Sequence, residues 1–175
     1  ARARTPLVQK SLDFSAGGVA SGTLYQEARE RLKPKQGYML NDSGPLFPAP
    51  NWSYASKAMH VKVINQWRLK SIRTAFPDDF RFWNLGKMVG SLAKKYPQDQ
   101  FAYTGFSSDY DFSRYSYEEF FPSASKGDIL GMWRTDQANL IAEMNKYANY
   151  SYFIPWKRPI NNSHCTTILT FMGTK

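Results

Sequence analysis

The chain is 175 residues long, 42% hydrophobic and 16% aromatic, with 23 Lys and Arg against 14 Asp and Glu for a formal charge of +9. Those figures fit one folded domain with a real core and exclude a disordered chain. A single cysteine, Cys165, excludes a disulfide-stapled scaffold, and two histidines, His60 and His164, leave little for zinc; no apolar run reaches the roughly 18 residues of a membrane-spanning helix.

Residues 1–20 read as an extended arm. Arg2, Arg4 and Lys10 are its cations, Pro6 favours extension, and Gly17-Gly18 close it. No apolar stretch comes after Ala1-Arg2-Ala3-Arg4, so this start does not read as a signal peptide. Thr23 and Gln26 stand at capping-box spacing. Leu24, Ala28 and Leu32 then give a thin stripe to a short helix that Pro34 ends. Arg29, Arg31, Lys33 and Lys35 make this helix and its exit cationic. Residues 1–35 are expected to be a basic arm and helix that wrap nucleic acid. Residues 36–175 are expected to be a mainly helical assembly domain.

Residues 36–53, punctuated by Gly37, Gly44, Pro48 and Pro50, read as loop. Residues 54–76 hold neither Gly nor Pro, and that length favours a helix. Its polar positions are mostly basic: Lys57, Lys62, Arg68, Lys70 and Arg73. After a turn at Pro77-Asp78-Asp79, Leu85, Met88, Val89, Leu92 and Tyr96 fall on one helical stripe. Residues 98–125 are aromatic, acidic and turn-rich, and are expected to be mostly irregular. The strongest helix is 128–148, where Leu130, Trp133, Leu140, Ile141 and Met144 share a sector of roughly 120°. Asp128 suits its N-terminus. Pro155 and Pro159 interrupt the chain after this helix, and Thr166 to Phe171 is a β-branched run fit for one strand or a packed tail. With no βαβ alternation evident, the expected fold is mainly α: an extended basic N-terminal arm with a short helix, then a helical bundle with irregular aromatic-rich connections.

The charge is segmented: +4 over 1–35, −1 over 36–56, +7 over 57–95, −4 over 96–125 and +3 over 126–175. Such separation lets one surface grip an anion while another meets a basic neighbour. Candidate phosphate-contacting residues are Arg2, Arg4, Lys10, Arg29, Arg31, Lys33, Lys35, Lys62, Arg68, Lys70 and Arg73. No base-reading motif accompanies them, which implies backbone contact indifferent to sequence.

Catalytic motifs are thin. Gly86-Lys87-Met88-Val89-Gly90 lacks the Gly-Lys-Ser/Thr ending of a phosphate loop, and no Gly-x-Ser-x-Gly elbow is present. Asp109-Tyr110-Asp111 has no partner ligands at metal spacing, and Cys165 beside a Thr-rich apolar run reads as a small packed hydrophobe. No catalytic residue, metal or cofactor is therefore expected. One enzymatic alternative is a basic, metal-independent ribonuclease toxin with His60 as base, His164 as acid and Lys62 on the phosphorane. A second alternative is a secreted glycoprotein that binds anionic partners, from the Asn-x-Ser sequons at Asn41, Asn51, Asn149 and Asn161.

Ala1-Arg2-Ala3-Arg4-Thr5-Pro6 resembles the basic, Arg-Thr-Pro-containing start of major coat proteins of rod-shaped and filamentous archaeal viruses. Val19-Ala20-Ser21-Gly22-Thr23-Leu24 is similar to the stretch after the arm in rod-shaped members. The resemblance covers about the first 25 residues. It implies a non-catalytic capsid subunit whose arm, through Arg2, Arg4 and Lys10, wraps double-stranded DNA in A-form. It also implies a homo-oligomer, or a hetero-dimer with a related coat protein, built into a helical virion made in the host cytoplasm, with no small-molecule substrate.

Overall fold

The structure is a computed structural model that describes residues 8–14, 16–48, 54–67, 69, 72, 75–76 and 84–167. Strand β1 (Val8–Phe14) leads through one residue into helix α1 (Ala16–Leu32), and β2 (Gln36–Asp42) comes next. Helix α2 (Tyr54–Trp67) and helix α3 (Met88–Lys95), the latter entered through a 3-10 turn at Leu85–Lys87, precede β3 (Gln100–Thr104). Helices α4 (Tyr110–Tyr117) and α5 (Lys126–Met144) then lead to β4 (Tyr150–Phe153).

The strands form one sheet in the order β1-β2-β3-β4, and every neighbouring pair is parallel. Parallel neighbours require crossovers, and here each crossover carries at least one helix. The expected mainly α fold is therefore corrected to a mixed α/β fold. The expected free arm contributes β1, an edge strand joined to β2 from Val8↔Gln36 to Phe14↔Asp42.

Local chemistry accounts for the differences. Thr23 does not cap a helix: α1 begins seven residues earlier, at Ala16, and the Thr23 hydroxyl donates back to the carbonyls of Val19 and Ala20. Residues 36–42, expected as loop, form β2. Gly37 is needed inside that strand because a Cβ there would collide with the Tyr25 hydroxyl. Residues 98–125, expected to be irregular, supply β3 and α4. The run Phe101-Ala102-Tyr103-Thr104 suits a half-buried strand but is too short to display a period.

Other expectations agree with the structure. A helix lies within 54–76, as α2, and another covers most of 85–96. The long helix runs over Lys126–Met144 and starts on a capping box between Ser125 and Asp128. The β-branched tail is described only through Thr167, and Thr166 and Thr167 are not strand.

The core lies between the sheet and its helices. Trp133, fully buried on α5, packs edge-on against Phe47 at 4.8 Å between centroids and donates its indole N–H to the Phe106 carbonyl at 3.0 Å. At the N-terminal end of the strands, buried Asp99 gathers the Arg29 guanidinium at 2.7 Å, the Tyr25 hydroxyl at 2.9 Å and the Gly37 amide at 2.8 Å. That knot fastens α1 and β2 to the turn entering β3. Among the described residues, no helix is long and apolar enough to cross a membrane.

Candidate active site

The registers align one row across all four strands: Phe14↔Asp42↔Thr104↔Phe153. This row lies at the carboxyl ends of β1, β2, β3 and β4. Open parallel sheets bind ligands just beyond such an edge. Among the described residues, those leaving it are Ser43 after β2, Asp109 five residues past β3, and His164 after β4.

Asp109 is delivered by an extension of the sheet. Beyond β3, the amides of Gly105, Ser107 and Ser108 donate to the carbonyls of Phe153, Pro155 and Trp156. Asp109 then ends this ladder as the N-cap of α4, its Oδ1 accepting the Phe112 amide at 2.9 Å. Its other oxygen, Oδ2, lies 2.7 Å from Nδ1 of His164. The carboxylate side chain is fully buried and the imidazole is 14% exposed. The His164 ring also stacks on Phe112, with centroids 6.2 Å apart.

Burial favours a neutral carboxyl at Asp109 and raises its pKa, while the bonds from His164 and Phe112 oppose the rise. Burial pulls His164 the other way, but its bonds to Asp109 and Cys165 outweigh this and lift the imidazole to about 10. The imidazole is therefore charged at neutral pH. When it loses a proton, the one on Nδ1 stays against Asp109, and Nε2 becomes the ring nitrogen that can exchange protons with a reactant.

His164 lines a cavity of about 340 Å³. Ala16 and Val19 of α1, Val63 and Gln66 of α2, and Asp111, Phe112 and Tyr115 of α4 complete it. Val19, Val63, Phe112 and Tyr115 make the wall largely apolar. The cavity thus joins the histidine of the buried pair to the N-terminal residue of α1. Helix α1 is 17 residues long with no acid in its first turn, so its N-terminal amides favour negative charge.

The residue before Ala16 is Ser15, which lies outside the described residues. In sequence it is the sole link between β1 and α1, the strand–serine–helix order of a nucleophile elbow. Asp13-Phe14-Ser15-Ala16-Gly17 departs from Gly-x-Ser-x-Gly only at its first position. Motif matching missed it for that reason. The order Ser15, Asp109, His164 along the chain is also that of α/β-hydrolase triads.

The sequence-derived cations take scattered positions. Arg2, Arg4, Arg68, Lys70 and Arg73 lie outside the described residues. Arg29 is bound to buried Asp99, and the hydrogen bond to that carboxylate raises its pKa. Arg31 forms an exposed pair with Glu27. Lys62 bonds the Tyr115 carbonyl at 2.6 Å and pairs with Glu119 at 3.2 Å. Lys10, Lys33 and Lys35 are exposed. His60 is fully buried with Nε2 on the Phe47 carbonyl, and burial lowers its pKa to about 4 despite that bond. It is therefore neutral at pH 7 and shielded from solvent. Comparisons with protein-family models, with curated proteins and with solved structures find no match.

Proposed function

We propose that the chain is a serine-type hydrolase of carboxylic esters, with Ser15 as nucleophile, His164 as general base and acid, and Asp109 as the residue that orients the imidazole. The observation that carries this reading is the buried Asp109–His164 pair, 2.7 Å apart, on the same cavity as the first residue of α1. Base and orienting carboxylate need this contact, and a nucleophile between strand and helix completes the set.

In this reading the Ser15 Oγ attacks the ester carbonyl carbon and its proton passes to His164 Nε2. The charge that develops on the carbonyl oxygen is met by the N-terminal amides of α1. The bond to the leaving alcohol breaks as Nε2 returns the proton to the departing oxygen. Water then repeats the sequence on the acyl-enzyme and releases the acid. The apolar cavity wall favours an apolar group beside the scissile bond.

The decisive experiment is labelling with a fluorophosphonate probe beside hydrolysis of nitrophenyl esters. Wild-type protein should label and turn over, and Ser15→Ala and His164→Ala should each abolish both. Wild-type protein that neither labels nor hydrolyses any ester in a graded acyl series would overturn the reading.

A further inference from the structure

His164 sits on a contorted segment. Asn161, Asn162, Ser163 and Cys165 all have positive φ, between 45° and 57°. None is glycine; asparagine tolerates this region, but Ser163 and Cys165 are held against their own backbone preference. Such a segment keeps one conformation only where its surroundings over-determine it. His164 is the extended residue within it, at φ −100° and ψ 140°.

Several bonds hold the segment, among them Asn162 Nδ2 to Asp111 Oδ1 at 2.8 Å and the Ser163 hydroxyl to the Arg158 backbone; two sets bracket His164 itself. On one side, buried Arg158 donates from one terminal nitrogen to the carbonyls of His164 and Cys165, both at 2.7 Å. On the other side stands Asp42, the last residue of β2 and fully buried. Its Oδ1 accepts the Thr166 amide at 2.8 Å, the Thr166 hydroxyl at 3.1 Å and the Ser43 hydroxyl at 2.8 Å. Its Oδ2 accepts the Thr167 amide and hydroxyl, both at 2.7 Å. The Ser43 oxygen in turn accepts the Cys165 amide at 3.1 Å. Three consecutive amides after His164 are thus fixed by the Asp42-Ser43 pair.

Asp42 makes no bond to the imidazole, whose Nδ1 belongs to Asp109. Asp42 also sits centrally, between Phe14 at the end of β1 and Thr104 at the end of β3. We propose that Asp42 is a positioning residue: its carboxylate pins Thr166 and Thr167 to the end of β2 and so holds the His164 ring on Asp109. The proposal rests on the hydrolase reading for its consequence in catalysis, but not for its consequence at His164.

The test tracks His164 by NMR through a pH titration, beside ester hydrolysis, in the full chain. Asp42→Asn keeps the volume and turns one acceptor oxygen into a donor that faces other donors. The fold should persist by circular dichroism. The His164 titration midpoint should fall toward an ordinary imidazole value, and kcat measured above about pH 10, where the ring is neutral in both proteins, should drop by about 100-fold, as a misplacement near 1 Å can cause, with KM unchanged. Thr167→Val deletes a single donor and should move both readouts the same way by less. It decides the matter if Asp42→Asn does not fold. A His164 midpoint unmoved in the folded variants overturns the proposal, whatever the esterase result. A moved midpoint in a chain inert toward esters retains the positioning role and rejects the hydrolase reading instead.

Discussion

Replacing Asp109 by Asn probes the central contact with little change of shape. The Asn oxygen can still accept the Phe112 amide, now 2.9 Å from Oδ1, so the cap of α4 survives. The amide nitrogen would then stand where Oδ2 stands, 2.7 Å from His164 Nδ1. Two N–H groups cannot face each other, so the imidazole must move its proton to Nε2. A protonated Nε2 cannot accept the Ser15 proton. Forcing the wrong tautomer onto a triad lowers kcat by roughly 10,000-fold, about 5.4 kcal/mol of barrier.

The pH dependence has a definite sign. The wild-type imidazole is raised to about 10, and it works as a base only when neutral. Ester hydrolysis should therefore climb with pH from neutrality toward about 10, with a midpoint well above an ordinary histidine. A raised folded-state pKa also means that stability from the pair is complete below an unfolded value of about 6.5. It is lost as pH rises through about 10. The stability gap between wild type and Asp109→Asn should narrow over that same interval. The assays are kcat/KM against pH for a nitrophenyl ester, and urea unfolding at matched pH. An Asp109→Asn protein with wild-type kcat and an unshifted limb would refute the reasoning.

Further expectations concern the frame. Asp99→Ala leaves the Arg29 guanidinium, the Tyr25 hydroxyl and the Gly37 amide without their acceptor, and should cost about 3 kcal/mol in urea unfolding. Because it lies at the opposite end of the strands, kcat of the folded fraction should be unchanged. Gly18→Ala drives a Cβ into the Asn41 side-chain oxygen and to 3.0 Å from the Gly44 backbone. It should destabilise by about 1–3 kcal/mol, read as a lowered Tm.

Much of the helical content was legible from local pattern. The stripe on residues 128–148 and the Ser125–Asp128 cap are one-dimensional signals, and they survive in α5. Gly18 and Gly37 carry no such signal. Each looks like loop punctuation until the partner that a Cβ would strike is known. The strands were illegible for a related reason. β3 and β4 span five and four residues, below the length at which a period shows, and the sheet is defined by hydrogen bonds between distant segments. The candidate site was half legible. His164 and the Asp109-Tyr110-Asp111 pair stand out as residue types, but 55 residues separate Asp109 from His164 and nothing local announces their contact.

The positive charge had pointed to a phosphate backbone. In the fold, Arg29 and Lys62 answer acids of the same chain, Asp99 and Glu119, while Lys10, Lys33 and Lys35 stay in solvent. Composition thus determined that the chain folds around one core, and local spacing determined where its longer helices lie. Both depend only on neighbours within a few residues. Which strands pair, which charges are spent internally, and which carboxylate meets which histidine were decided only by tertiary structure. Parallel strands meet only across long crossovers, and the row from Phe14 to Phe153 exists only once all of them have closed.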